Sequence, residues 1–173
     1  MPRKNKKLPR HLLVIRTSAM GDVAMLPHAL RALKEAYPEV KVTVATKSLF
    51  HPFFEGLDVG FLDIETRRTH RGIRGAIRFA REAAELKIDA VADMHNVLRS
   101  KMVRAALHLR GIPVSVIHKG RIEKYMRLGR GSEGVKPLKH TVIRYCDVFR
   151  RLGFDFPDPR PAEKRPRPNP MGE

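Results

Sequence analysis

The segment "RTSAMGD", residues 16–22, ends a short apolar run and carries one acid, Asp22, just ahead of an apolar helical pattern. A loop that cradles phosphate offers backbone N–H groups or a lysine at such a point, and a carboxylate there would repel phosphate. The segment has neither the GxGxxG fingerprint nor a Walker lysine. Two roles suit Asp22: an acid in the first turn of a helix, favoured by the helix dipole, or a base aimed at a hydroxyl. Pro27, read as close to the first helical turn, supports a helix starting here. Spacing alone leaves both roles open. Ser18 has no GxSxG elbow around it, which weakens a serine-hydrolase reading.

The remaining candidates are basic. Arg67, Arg68, Arg71, Arg74, Arg78 and Arg81 follow one another with no acid between them. From Arg99 to Arg130 there are nine basic residues and only Glu123 opposes them. A solvated helix face explains part of this, but two clusters flanking one crevice would suit a ligand with several phosphates or carboxylates. His51, His70, His95, His108, His118 and His140 show no metal-ligand spacing, and no metal is expected. Cys146 is the only cysteine, which excludes a disulfide framework within the chain and fits a reducing compartment.

The elements that must position these residues alternate along the chain. "LLVI" within 12–15, 40–46, 59–64, 88–94 and 113–118 read as short strands, the first buried on both faces. Between them, Val23, Leu26, Leu30, Leu33 and Tyr37 recur at helical spacing, and a short helical segment falls near "SLFHPFFEG". Residues 71–86 read as an amphipathic helix with Ile73, Ile77, Ala80 and Ala84 inward and arginines outward. Leu98, Met102, Ala105, Ala106 and Leu109 form the apolar stripe of the next helix, and a last helix covers 138–153 with Gly153 as its C-cap.

This alternation predicts an α/β fold, a Rossmann-like doubly wound parallel sheet in the order 3-2-1-4-5. Ligands then sit beyond the C-terminal strand ends, at 17–22, 65–70, 93–96 and 118–121, with Asp22 and "DMHN" lining one crevice. Residues 1–10 hold five basic residues and no acid and read as a disordered arm. Residues 11–154 form the folded domain, and 155–173 read as a proline-rich tail or linker.

A chain of 173 residues, 42% hydrophobic, can bury a single core. No run is apolar enough to span a bilayer, and the N-terminal apolar stretch is too short for a signal segment, so a soluble cytoplasmic protein is expected. The net charge of +17 implies a polyanionic partner: nucleic acid, an anionic membrane surface or a phosphorylated substrate. Aromatic content of 6% without tryptophan is thin for stacking bases, so nucleic acid is the weaker choice.

"LLVIRTSAMGDVAMLPHALRALKEAYP", "DAVADMHNVLRSKMVRAAL" and "HTVIRYCDVFRRLGF" together resemble the N-terminal domain of family 9 glycosyltransferases, the lipopolysaccharide heptosyltransferases. The resemblance runs in order over roughly residues 11–154. It implies the N-terminal half of a GT-B enzyme, in which two Rossmann-like domains face one another across a cleft. This half would bind the acceptor, and the other half would bind a nucleotide-sugar such as ADP-heptose as co-substrate, without a metal. It implies that Asp22 is the general base. The candidate acceptor-binding set is Ser18, Met20, Gly21, Arg67, Arg68, Arg71, His95, Asn96, Lys119 and Arg121. The implied partners are an anionic lipid A or core precursor and the inner-membrane surface, and the localisation is cytoplasmic, peripheral to that membrane. The C-terminal donor domain is absent from this sequence, so it is expected on another chain, or the chain is a truncated or split protein. A non-enzymatic basic domain for nucleic acid or anionic membrane is the alternative, and a degenerate remnant that binds acceptor without chemistry is a third reading.

Overall fold

The computed structural model describes residues 7–65, 69–118 and 139–159. Five strands form one sheet: β1 (His11–Ile15), β2 (Lys41–Thr46), β3 (Gly60–Asp63), β4 (Ala90–Asp93) and β5 (Val114–Val116). Every pairing is parallel and the order is β3-β2-β1-β4-β5, as the alternation predicts. All five residues of β1 are buried, because a central strand covered on both faces has no solvent side for a polar residue. β3 lies at an edge and exposes most of its residues, and the His51 ring stacks on Phe61 there with centroids 3.9 Å apart.

Alternate residues of β1 feed two cores. Leu12 and Val14 face α1 (Met20–Ala36), the 3-10 helix Ser48–Phe54 and α4 (Thr141–Arg151). Leu13 and Ile15 face α2 (Gly72–Glu85) and α3 (Leu98–His108). Period-two alternation across a sheet thus produces the three-layer α/β/α arrangement.

The apolar stripe of α1 is the one its spacing predicts, with Val23, Leu26, Leu30 and Leu33 fully buried. Pro27 departs from the expectation. α1 begins at Met20, so Pro27 lies in the helix interior, buried, where its missing N–H removes one ladder bond. α4 ends in a Schellman motif: Gly153 N–H donates to Arg150 O at 3.0 Å and Phe154 N–H to Phe149 O at 3.3 Å. Gly153 has φ +108°, which its lack of a Cβ permits. Phe156 is buried and its ring lies against Phe149, so the packed chain runs a little beyond residue 154.

Two helices correct the sequence reading. α2 buries Gly75, Ala76, Phe79, Ala80 and Ala83, whereas Ile73 and Ile77 are exposed and Ala84 is half-buried. α3 buries Ser100, Val103 and Leu107, whereas Leu98, Ala105 and Leu109 are exposed. In α2 one contact is close enough to dictate residue size: a Cβ on Gly75 would stand 2.1 Å from the backbone carbonyl carbon of His70, so only glycine fits where the helix meets the His70 turn.

Candidate active site at the carboxyl edge of the sheet

The sheet's C-terminal edge gathers the loops after β1, β3 and β4. At the end of β1, Arg16 and Thr17 remain buried although polar. Arg16 is satisfied locally. Its guanidinium donates from Nη1 to the Met94 carbonyl after β4 and from Nη2 to Oδ2 of Asp22, forming an ion pair. It also lies 6.0 Å from the centroid of the Tyr145 ring. The Arg16 Nε is buried and has no hydrogen-bond partner among the described residues.

Asp22 is the third residue of α1, whose N-cap, Ala19, makes no side-chain capping bond. A first-turn acid suits the helix dipole. The carboxylate, however, is turned to Arg16 rather than to a backbone N–H. Its side chain is 45% exposed, and its second oxygen, Oδ1, accepts no hydrogen bond among the described residues. Only one of its two oxygens is therefore anchored. From α4, Tyr145 Oη donates to the Asp22 backbone carbonyl at 2.9 Å. Burial pushes the Tyr145 phenol up to about 12, outweighing the lowering effect of Arg16, so it stays a neutral donor.

After β4, the fully buried Asp93 organises the loop. Its Oδ1 accepts from His95 N–H (2.9 Å) and Asn96 N–H (2.8 Å), an Asx-type turn. Its Oδ2 pairs with Arg104 Nη1 at 3.2 Å. Asn96 adopts φ +47°, a conformation that asparagine tolerates better than most residues. Its amide donates to Ile117 O at 3.3 Å, tying β4's loop to β5. Asp93 and Asn96 therefore build the loop. His95 is the member that reaches across it: Nε2 lies 3.4 Å from Ser18 Oγ, joining the first and fourth loops.

A cleft of about 290 Å³ opens here between α2 and α3. Thr17, His70 and His95 represent three of the four loops predicted to form the ligand edge, and Arg99, Ser100 and Leu98 come from the first turn of α3. Ser100 Oγ accepts from Val97 N–H and donates to Val97 O, both at 3.0 Å, holding that turn. His70 accepts at Nδ1 from Glu65 N–H (3.2 Å), which leaves its Nε2–H for Glu82 at 2.9 Å.

Of the candidates singled out from sequence, the structure joins Ser18 to His95 directly, and Arg16 ties Asp22 to the carbonyl of Met94, the residue before His95. Asp22 itself does not line the cleft; it stands on α1, which packs against the other face of the sheet. Met20 is exposed, and Gly21 is open, with nothing within 4 Å of where its Cβ would be. Arg71 is the exposed N-cap of α2. Arg67, Arg68, Lys119 and Arg121 lie outside the described residues. Sequence reasoning placed His70 on the edge but missed Arg16 and Tyr145. Arg16 had one usable signal: a charge directly after four apolar strand residues. Tyr145 had none, standing 123 positions from its partner.

Cys146 is buried, and burial pushes its thiol up to about 11, so no thiolate is available at neutral pH. Among the described residues no group of three or more His, Cys, Asp or Glu is placed to hold a metal ion, and no helix is long and apolar enough to cross a membrane.

No family model and no curated protein matches the sequence. Solved structures do. The chain superposes on a family 9 glycosyltransferase from Veillonella parvula with a TM-score of 0.61 at 17% identity, covering 83% of this chain and 42% of that one. Against E. coli heptosyltransferase WaaC with ADP-2-deoxy-2-fluoro heptose the TM-score is 0.58 at 22% identity, over 88% and 50% of the two chains. Against E. coli ADP-heptose lipopolysaccharide heptosyltransferase II it is 0.53 at 21% identity, over 91% and 44%. The fold is the one seen in these transferases. The chain spans half or less of the length of each of these three structures.

Proposed function

We propose that this chain is the acceptor-binding half of a glycosyltransferase of lipopolysaccharide core synthesis, with Asp22 as general base. The observation that carries the reading is the Asp22 carboxylate, anchored by Arg16 on one oxygen and open on the other, at the strand-end edge of a fold shared with family 9 transferases. An inverting transfer requires the acceptor hydroxyl to lose its proton as the anomeric carbon gains cationic character. An aspartate is ionised at neutral pH and becomes an effective acceptor as that hydroxyl acidifies in the transition state. The nucleotide-sugar, ADP-heptose or a relative, would be held by the other half of the fold that these transferases share. The acceptor would be a phosphorylated lipid A precursor with acidic sugars, presented at the cytoplasmic face of the inner membrane. Arg71 and Arg99, beside and within the cleft, supply charge for it.

The test is a binding competition on the full chain. Lipid A bearing acidic sugars is compared with duplex DNA at matched charge across a salt series. The acceptor half retains the glycolipid at salt that strips DNA. Steeply salt-dependent DNA binding with no preference for the glycolipid would favour a basic nucleic-acid module instead.

A further inference from the structure

α2 turns two isoleucines to solvent. Ile73 is 67% exposed and Ile77 48% exposed, while the helix packs through its small residues and Phe79. Residues four apart share a helix face, so the two form one apolar ridge on the N-terminal half of α2. Arginines flank it on its solvent side: Arg74, Arg78 and Arg81, with Arg71 at the N-cap, all exposed. Arg78 is paired with Glu82 at 3.0 Å. Arg71, Arg74 and Arg81 have no ion-pair partner among the described residues. Leu98, 75% exposed, begins α3 and lines the mouth of the cleft, and α3 packs beside α2. In a parallel sheet both helices start at the same edge, so ridge, arginines and cleft mouth share one end of the molecule.

A groove on a protein partner would match the isoleucines but not the row of cations beside them. Nucleic acid would match the arginines but gain nothing from exposed isoleucines. An anionic bilayer matches both, with hydrocarbon beneath a layer of phosphate. We propose that the N-terminal half of α2, together with Leu98, docks the chain on an anionic lipid surface. Ile73 and Ile77 enter the acyl boundary, and Arg71 and Arg74 contact headgroup phosphates. The cleft mouth is then held at the membrane plane. The inference deepens the reading above by assigning the surface that meets the membrane, and it rests on that reading only for the identity of the acceptor.

The chain has no tryptophan, so one introduced indole reports its own surroundings. The full-length Ile77→Trp protein is mixed with phosphatidylglycerol–phosphatidylcholine vesicles and with pure phosphatidylcholine vesicles. Emission should shift to the blue and be quenched by brominated acyl chains only with the anionic vesicles. Leu109→Trp, at the far end of α3, should do neither. In co-sedimentation, Ile73→Ser combined with Ile77→Ser should lower vesicle partitioning about tenfold or more. Arg74→Gln should lower it roughly fivefold. All these positions are exposed, and an unchanged melting curve checks that each variant folds. Equal shifts at positions 77 and 109, unchanged partitioning of the serine pair, or displacement of bound vesicles by single-stranded RNA would overturn the proposal. The vesicles carry no acceptor or donor, so docking succeeds or fails in this assay whatever the outcome of the glycolipid competition that tests the reading above.

Discussion

Arg16 decides what kind of residue Asp22 is. A helix-capping acid can be exchanged for asparagine almost freely, because the amide oxygen accepts the same backbone bond. Asp22 makes no such bond and instead meets a buried guanidinium. Asp22→Asn should therefore lower stability by about 1 kcal/mol, less than the ~1.5–3 kcal/mol of a hydrogen bond to a charged group because the carboxylate is half exposed, measured by denaturant unfolding. A loss near zero would indicate that the pair contributes nothing and that only the dipole acts. Arg16→Lys keeps the charge but cannot hold Met94 O and Asp22 with one rigid fork. It should lower the transfer rate more than the acceptor affinity, since it releases the carboxylate from its orientation without touching the cleft wall. Equal effects on both would argue that Arg16 serves only the fold.

Among the elements, α2 is held by contacts that its own sequence does not advertise. Gly75→Ala should destabilise the chain by about 3 kcal/mol, because the new methyl group meets the His70 backbone rather than a movable side chain. Thermal unfolding of that one variant is sufficient. The same corner has a pH signature. Burial opposes charge on Glu82, but hydrogen bonds from Arg78 and His70 outweigh it and hold the carboxyl below its ordinary value of 4.5. A depressed folded value stabilises the protein above the ordinary value, and that contribution disappears as pH falls through the lower folded one. Glu82→Gln should lower the melting temperature at neutral pH and flatten its decline below pH 4.5. These features explain what could be read from sequence. β1, β2, β4 and α1 were legible because bulky apolar residues at period two or 3.6 have no other reason to recur. α2 misled because Ile73 and Ile77 recur at helical spacing and outweigh Gly75, Ala76 and Ala80 in any hydrophobic pattern. Their burial is set by the approach of the His70 turn, a contact between a helix and the loop before it. Asp22 and His95 were legible as ends of strands, whereas the pairing of Arg16 with Asp22 needed the folded edge to appear.

At the scale of the whole molecule, the packed region is one Rossmann-like unit with its candidate chemistry at the carboxyl edge, and the structures that share its fold are about twice as long. The central claim is that this edge removes a proton from an acceptor hydroxyl through Asp22. The most direct measurement joins the chain to a donor-binding half of a family 9 enzyme and follows sugar transfer from ADP-heptose to the lipid A acceptor. The wild-type chain is compared with Asp22→Asn, with acceptor binding measured in parallel. The account predicts that transfer falls roughly 100-fold or more while acceptor affinity is unchanged or tighter, because a proton acceptor and one negative charge have been removed together. An Asp22→Asn chain that transfers at close to the wild-type rate would contradict it.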